Sequence, residues 1–259
     1  MVRTIVVVGL LVVVALAVGY GGILIYAPHA VASSVQKAKT AGYPVTLDEL
    51  DAWYAPTSDG TNAADLYIKA FELNEKSEQN SSSASLPYVG DAQVPNANVP
   101  LSEPERTAMA AYLVVKADTL KALHEAASVS SCRYPFQMRD PKDLALPHLG
   151  PLRNATRLLA LEAIVRAEEG QNDAAVNALA TGYSAASSVR GEPLLISQLA
   201  RTSYVSAISQ ALERVLNRGD LDSAQLGQVL NAVALAEAPH AYERAFAGER
   251  CLGIAGLPT

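Results

Sequence analysis

The sequence predicts an all-α fold, an N-terminal transmembrane helix followed by stacked αα-hairpins. Three observations carry this. Residues 5–25, IVVVGLLVVVALAVGYGGILI, run without a charge. Half of all residues are hydrophobic but only 6% are aromatic, so Ala, Leu and Val supply the core, and Ala and Leu lose little entropy in a helix. Beyond residue 25, apolar residues recur at spacings of three and four between recognisable helix starts and stops.

The first segment, 1–32, reads as a membrane anchor. Its charge-free run has 21 residues, and at about 1.5 Å per residue a helix of that length crosses the ~30 Å hydrocarbon layer. A cleaved signal peptide is the competing reading, with Ala30-Val31-Ala32 as a small-residue cleavage site. Signal-peptide apolar regions are shorter, about 7–15 residues, which favours the anchor. Arg3 on one side and Lys37 and Lys39 on the other nearly balance, so the positive-inside rule barely discriminates. The short leading tail favours an inside N-terminus, with the helical domain on the exported, periplasmic side.

Region 33–128 holds three expected helices. Thr46-Leu47-Asp48-Glu49 is a capping box, opening a helix that Pro56 ends. A second helix is expected from about Asn62 to Leu73, with Ala63, Leu66, Tyr67, Ala70 and Phe71 on its apolar face. Residues 74–100 are rich in Ser, Asn and Pro and read as a long, flexible, solvated loop. Ser102-Glu103-Pro104-Glu105 is a second capping box with Pro in the first turn, and its helix is expected to run unbroken to Ala127. Residues 129–151 contain four prolines and read as an extended, packed connection.

Region 152–259 gives the clearest pattern. Helices are expected over about 152–169, closed by Gly170; 172–189, closed by Gly191; 193–217, opened by Pro193 and closed by Gly219; 222–238, opened by Asp222 with Gln225; and a short one over 241–248. Gly170-Gln171-Asn172 and Gly219-Asp220-Leu221 hold similar places in successive hairpins. Their turn chemistry resembles tetratricopeptide repeats, without that family's 34-residue period or its Trp and Pro positions. The expectation is therefore a degenerate helical repeat, whose stacked hairpins leave a groove.

Several blocks in order, AGYPVTLDELDAWY, NAADLYIKAF, CRYPF, LPHLGPLRNATRLLALEAIVRAEEG, EPLLISQLARTSYVSAISQALERVL and AGER, resemble an uncharacterised family of membrane-anchored, helical bacterial proteins. The resemblance covers most of residues 41–250. It implies an anchored helical domain and implies no activity. Relatives continue past the Gly-Glu-Arg block, so the apolar tail CLGIAGLPT suggests a truncated last hairpin.

Composition excludes some functions. The net charge is −6 with no basic run, which sets aside nucleic-acid binding through phosphate contacts. Two cysteines, Cys132 and Cys251, are too few for a disulfide framework or a structural zinc site. They can pair in an oxidising compartment; the competing reading is two buried small hydrophobes. The four histidines show no metal-ligand spacing, and no catalytic or cofactor motif stands out. Ser34-Val35-Gln36-Lys37 matches S-x-x-K without its companion motifs. Glu162 and Arg166 are spaced for a helix ion pair. Arg153, Arg157 and Arg201 are the candidate binding residues, placed to line a concave face and hold carboxylates of a protein partner, although solvated faces and structural ion pairs are the commoner fate of such charges. The alternative is an envelope enzyme with a dispersed site near Cys132, His148 and Glu162, which needs a nucleophile–base contact. A third reading is a purely structural envelope component.

Overall fold

The computed structural model describes residues 30–54, 60–78, 83–138 and 144–256, and every regular element among them is helical. Helix α1 covers residues 30–40. It is followed by α2 (Leu47–Trp53), α3 (Ala63–Glu78), α4 (Glu103–Val115), α5 (Ala117–Ala127), α6 (Leu149–Glu168), α7 (Asn172–Ser187), α8 (Leu195–Arg218), α9 (Ser223–Glu237) and α10 (Ala241–Ala255). The expected anchor, residues 5–25, lies outside the described residues. Among those described, no helix is long and apolar enough to cross a membrane.

Helices α6 and α7 form the centre. Every residue of α6 from Leu158 to Val165 is buried, as expected of a helix that is apolar all round. Helix α6 packs on α7 and α8, and α7 packs on α8 and α9 as well. Small residues make this closeness possible. A Cβ on Gly182 of α7 would lie 2.4 Å from the Ile208 side chain of α8. Around this block, α5 lies on α3 and α7, α4 on α6, and α10 on α8 and α2.

The capping boxes expected at Thr46, Ser102 and Asp222 are all formed. Gly170 adopts φ +72° after α6, the left-handed turn that ends a helix at little cost in glycine. Helix α1, over residues 30–40, is not among the helices expected from the sequence, and three further elements differ from expectation. Helix α3 continues to Glu78, because Glu78 receives the Lys116 ammonium and the Tyr112 hydroxyl. The helix expected over 103–127 breaks at Lys116, whose backbone leaves the helical region at ψ 8°. There its fully buried ammonium also reaches Asn74 O (3.2 Å) and Ser77 Oγ (2.9 Å). Helix α10 runs through the apolar tail to Ala255 rather than stopping near 248.

Of the segment expected as a free loop, 74–100, residues 83–100 are strapped to the body. Arg157 donates to the carbonyls of Tyr88 and Gly90. Arg214 donates to those of Asn96 (3.1 Å) and Val99 (2.7 Å), and Arg218 to Ala97 (3.2 Å). Arg214 is itself fully buried against Glu168 at 3.0 Å. At the other end of the molecule, the Gly-Glu-Arg block docks α10. A Cβ on Gly248 would overlap Pro193 O, Glu249 accepts the Leu195 amide (2.9 Å), and Arg250 donates to Pro44 O (2.9 Å).

Candidate binding cleft

Two of the open clefts that face solvent differ in charge. The first, of about 550 Å³, lies where the end of α7, the start of the 129–138 connection and the α9–α10 turn converge over Tyr67 of α3. That volume falls in the usual range for ligand sites, ~300–1,000 Å³. Six serines line it, in two sequence clusters: Ser128, Ser130 and Ser131, then Ser184, Ser187 and Ser188. Arg190 and Arg244 bring positive charge, His240 lies beside them, and no Asp or Glu is among the lining residues.

The connection is held in place by Asn62 at the foot of α3. Its amide donates to Arg133 O (2.9 Å) and its carbonyl oxygen accepts the Arg133 amide (2.9 Å). The Ala63 amide donates to Ser131 O (2.9 Å). Arg133 also lies 4.3 Å over the Tyr54 ring and 3.1 Å from Asp51. The C-terminal turn of α7 supplies Ser187, whose buried hydroxyl has no hydrogen-bond partner, and Ser188, which pairs with the Tyr134 hydroxyl (3.2 Å). Arg244 rests 4.7 Å over the Trp53 ring.

Behind this cleft sits a buried polar cluster. The His148 ring stacks on Tyr134 at 4.2 Å and nearly parallel, with Phe136 at 5.9 Å. His148 Nε2 lies 2.8 Å from Glu192 Oε1, both residues buried. The approach is close but not along a hydrogen-bonding direction, and neither Glu192 oxygen is hydrogen-bonded. Interior packing, not a hydrogen bond, therefore holds the two groups together.

The second cleft, of about 690 Å³, contains Arg153 and Arg157, together with Glu72, Glu75 and Glu78. Its charges largely balance. Arg157 is already used by the strap, whereas Arg153 is exposed. Arg201 is not in either cleft. It is buried on α8, where it donates to Gln198 Oε1 (2.9 Å) and to Ala236 O (2.6 Å) at the end of α9. The three arginines singled out in the sequence thus do not converge on one face.

Cys132 and Cys251 do not pair; both are free thiols. Cys132 packs at the edge of the main core, whereas Cys251 sits with Leu50, Tyr54 and Met138, donating to Pro44 O (3.2 Å). Cys132, His148 and Glu162 do not assemble either. The Cys132 thiol makes no hydrogen bond to His148. Burial, reinforced by the nearby Glu192 charge, pushes its pKa up to about 12, which keeps it protonated and poorly nucleophilic. Glu162 pairs not with Arg166 but with His124 Nε2 (2.9 Å), whose Nδ1 meets Thr181 Oγ1 (2.8 Å). Arg166 turns to Glu169 instead (3.3 Å). The Thr181 hydroxyl donates to its own helix at Asn177 O (2.9 Å), so this chain of polar groups ties α5, α6 and α7 together. Among the described residues, no three His, Cys, Asp or Glu side chains gather as metal ligands.

No family model, curated protein or solved structure matches the chain.

Proposed function

We propose that this chain is a membrane-tethered helical scaffold that binds a protein or peptide partner on the exported side, with the serine-lined cleft as the seat of the partner. The observation that carries the reading is the cleft: a concave, hydroxyl-rich surface with guanidinium groups at its edge and no activated nucleophile. Such a surface offers many hydrogen bonds to an extended backbone and little chemistry.

The tether rests on the uncharged run at residues 5–25. The scaffold rests on helix order, read as a degenerate repeat of αα-hairpins. Helix α6 packs on α8 and α7 on α9, the pairing expected of two stacked hairpins. The corresponding turns also touch. Asn172 donates to Asp220 O (3.2 Å) and Gln225 to Asp173 (2.6 Å).

The test is site-specific photo-crosslinking of the full chain in its native membrane. A crosslinker at position 131, inside the cleft, should give a discrete adduct of higher mass. One at position 76, exposed on α3, should not. Equal adducts at both positions, or none at 131, would sink the proposal. Protease added to sealed cells with permeable outer layers tests the exported side: the helical domain should be digested there and protected in inside-out vesicles.

A further inference from the structure

The cleft's charge is at odds with the chain's. The protein carries a net charge of −6, yet this concavity has the guanidinium groups of Arg190 and Arg244, with His240 beside them, and no carboxylate among its lining residues. Most other arginines near the core are spent: Arg157, Arg201 and Arg214 on carbonyls, Arg133 on Asp51 and Arg250 on Pro44. Arg190 and Arg244 form no ion pair among the described residues. Glu243, beside Arg244 in sequence, feels the Arg244 charge but is engaged first by hydrogen bonds from the Tyr43 hydroxyl and with His240 at 3.1 Å, and it does not line the cleft. Glu192, next to Arg190's turn, faces His148 at 2.8 Å and does not line the cleft.

A second observation is independent of charge. Ser187 is only 4% exposed, lines the cleft, and its hydroxyl has no partner. A buried hydroxyl left unsatisfied costs free energy that a bound acceptor would recover. Arg244 is also preoriented, its guanidinium plane resting over the Trp53 ring, which lowers the ordering cost of a contact.

Resting on the binding reading above, we infer that the cleft is an oxyanion site: it takes the carboxylate of an acidic or free C-terminal peptide, or a phosphate ester, between Arg190 and Arg244, with Ser187 donating to the same group. Guanidinium forks match the planar carboxylate and the tetrahedral phosphate alike, so the shared chemistry is a compact anion.

The experiment uses the full chain in detergent micelles, labelled at arginine Nε and followed by NMR. Three probes are titrated: N-acetyl-dialanine as the free acid, its C-terminal amide, and inorganic phosphate. The free acid or phosphate should shift the Arg190 and Arg244 Nε–H resonances saturably, whereas the amide should not. Saturation by the acid alone identifies a carboxylate site, and by phosphate alone a phosphate site. The double variant R190Q/R244Q should weaken binding by about tenfold or more, as expected for loss of charge-assisted bonds, and S187A by a smaller factor. R153Q, in the other cleft, should leave affinity within about twofold, because that cleft's charges are independent of the first. Equal binding of acid and amide, undiminished binding by the double variant, or no saturable shift with either anion would overturn the inference. A crosslink at position 131 would then still stand for the broader proposal, so the two failures are distinguishable.

Discussion

Helix α6 buries every residue from Leu158 to Val165, whereas the strap over 83–100 buries only Leu86 and Pro87. The two regions touch, yet they are held by different physics. The α6–α9 block is joined by Ala, Leu, Val and Ile packed on small residues, a force that is spread over many side chains and has no direction. The strap and the α3–α5 collar are fastened by a few long polar side chains, Arg157, Arg214, Arg218 and Lys116, each serving several acceptors. In a distributed interface the loss from any one substitution is shared by the whole block and releases no single segment. A fastening that concentrates several carbonyls on one guanidinium fails when that group is removed.

The sharpest test of this contrast is Arg214→Ala. It leaves Glu168, 5% exposed on its side chain, with the Leu101 amide (3.3 Å) and, as its cation, the more distant Arg218 at 3.5 Å, and frees the carbonyls of Asn96 and Val99. Removing one partner of a buried ion pair costs about 3–5 kcal/mol. Leu161→Ala in the block should cost about 2–5 kcal/mol, and the two are told apart by how the loss is distributed. Urea denaturation should show both destabilised. Limited proteolysis under native conditions should cut the strap near residues 92–100 in the arginine variant alone. If both variants are cut at the same sites, the strap does not depend on Arg214. Arg214→Met with Glu168→Leu should recover part of the stability, because an apolar pair replaces a buried charge pair at little or no cost.

This division also decides what could be read from the chain. The block was legible because its signals are local: the Asp222–Gln225 box, Gly170 with its positive φ, and apolar spacing along α6 and α7. Collar and cleft depend on partners far apart in sequence. Lys116 breaks a helix only because Ser77 and Glu78 are folded against it. Glu162 had an obvious partner four residues on, but it faces the interior, where His124 from α5 is within 2.9 Å. Arg157 and Arg201 carried the right charge for a binding face, yet backbone carbonyls claim them first. The cleft escaped notice because Arg190 and Arg244 share no periodicity. The one mark it left was the repeated serine content at 128–131 and 184–188.

A smaller effect is expected from Lys116→Met. The ammonium bridges Asn74 O, Ser77 Oγ and Glu78, and its loss should cost about 1–3 kcal/mol, the usual range for leaving such acceptors unmet. The loss should be local. Hydrogen exchange should quicken at residues 74–78, the last turn of α3, while α6 amides keep their protection. Faster exchange throughout α6 would show that the collar and block unfold as one unit, and the distinction between them would fall.

The smallest effect is a pH dependence at the same place. Burial raises the Glu78 pKa, but hydrogen bonds from Lys116, Ser83 and Tyr112, with the Lys116 charge, outweigh it, so the carboxyl lies below its ordinary 4.5. A depressed folded-state pKa means the unfolded chain binds this proton more readily. The contribution is therefore complete above the unfolded value and is lost as pH falls through the folded one. Because the Glu78 side chain is 37% exposed, solvent screening limits the contribution to below about 1 kcal/mol. Wild-type stability measured in urea should decline as pH drops from about 5 toward 3. The decline should be shallower in Lys116→Met, where the group holding Glu78 ionised is gone. Parallel pH profiles for the two proteins would show that the Lys116 contact does not set the charge state of Glu78, and that the collar's end is held by Asn74 and Ser77 alone.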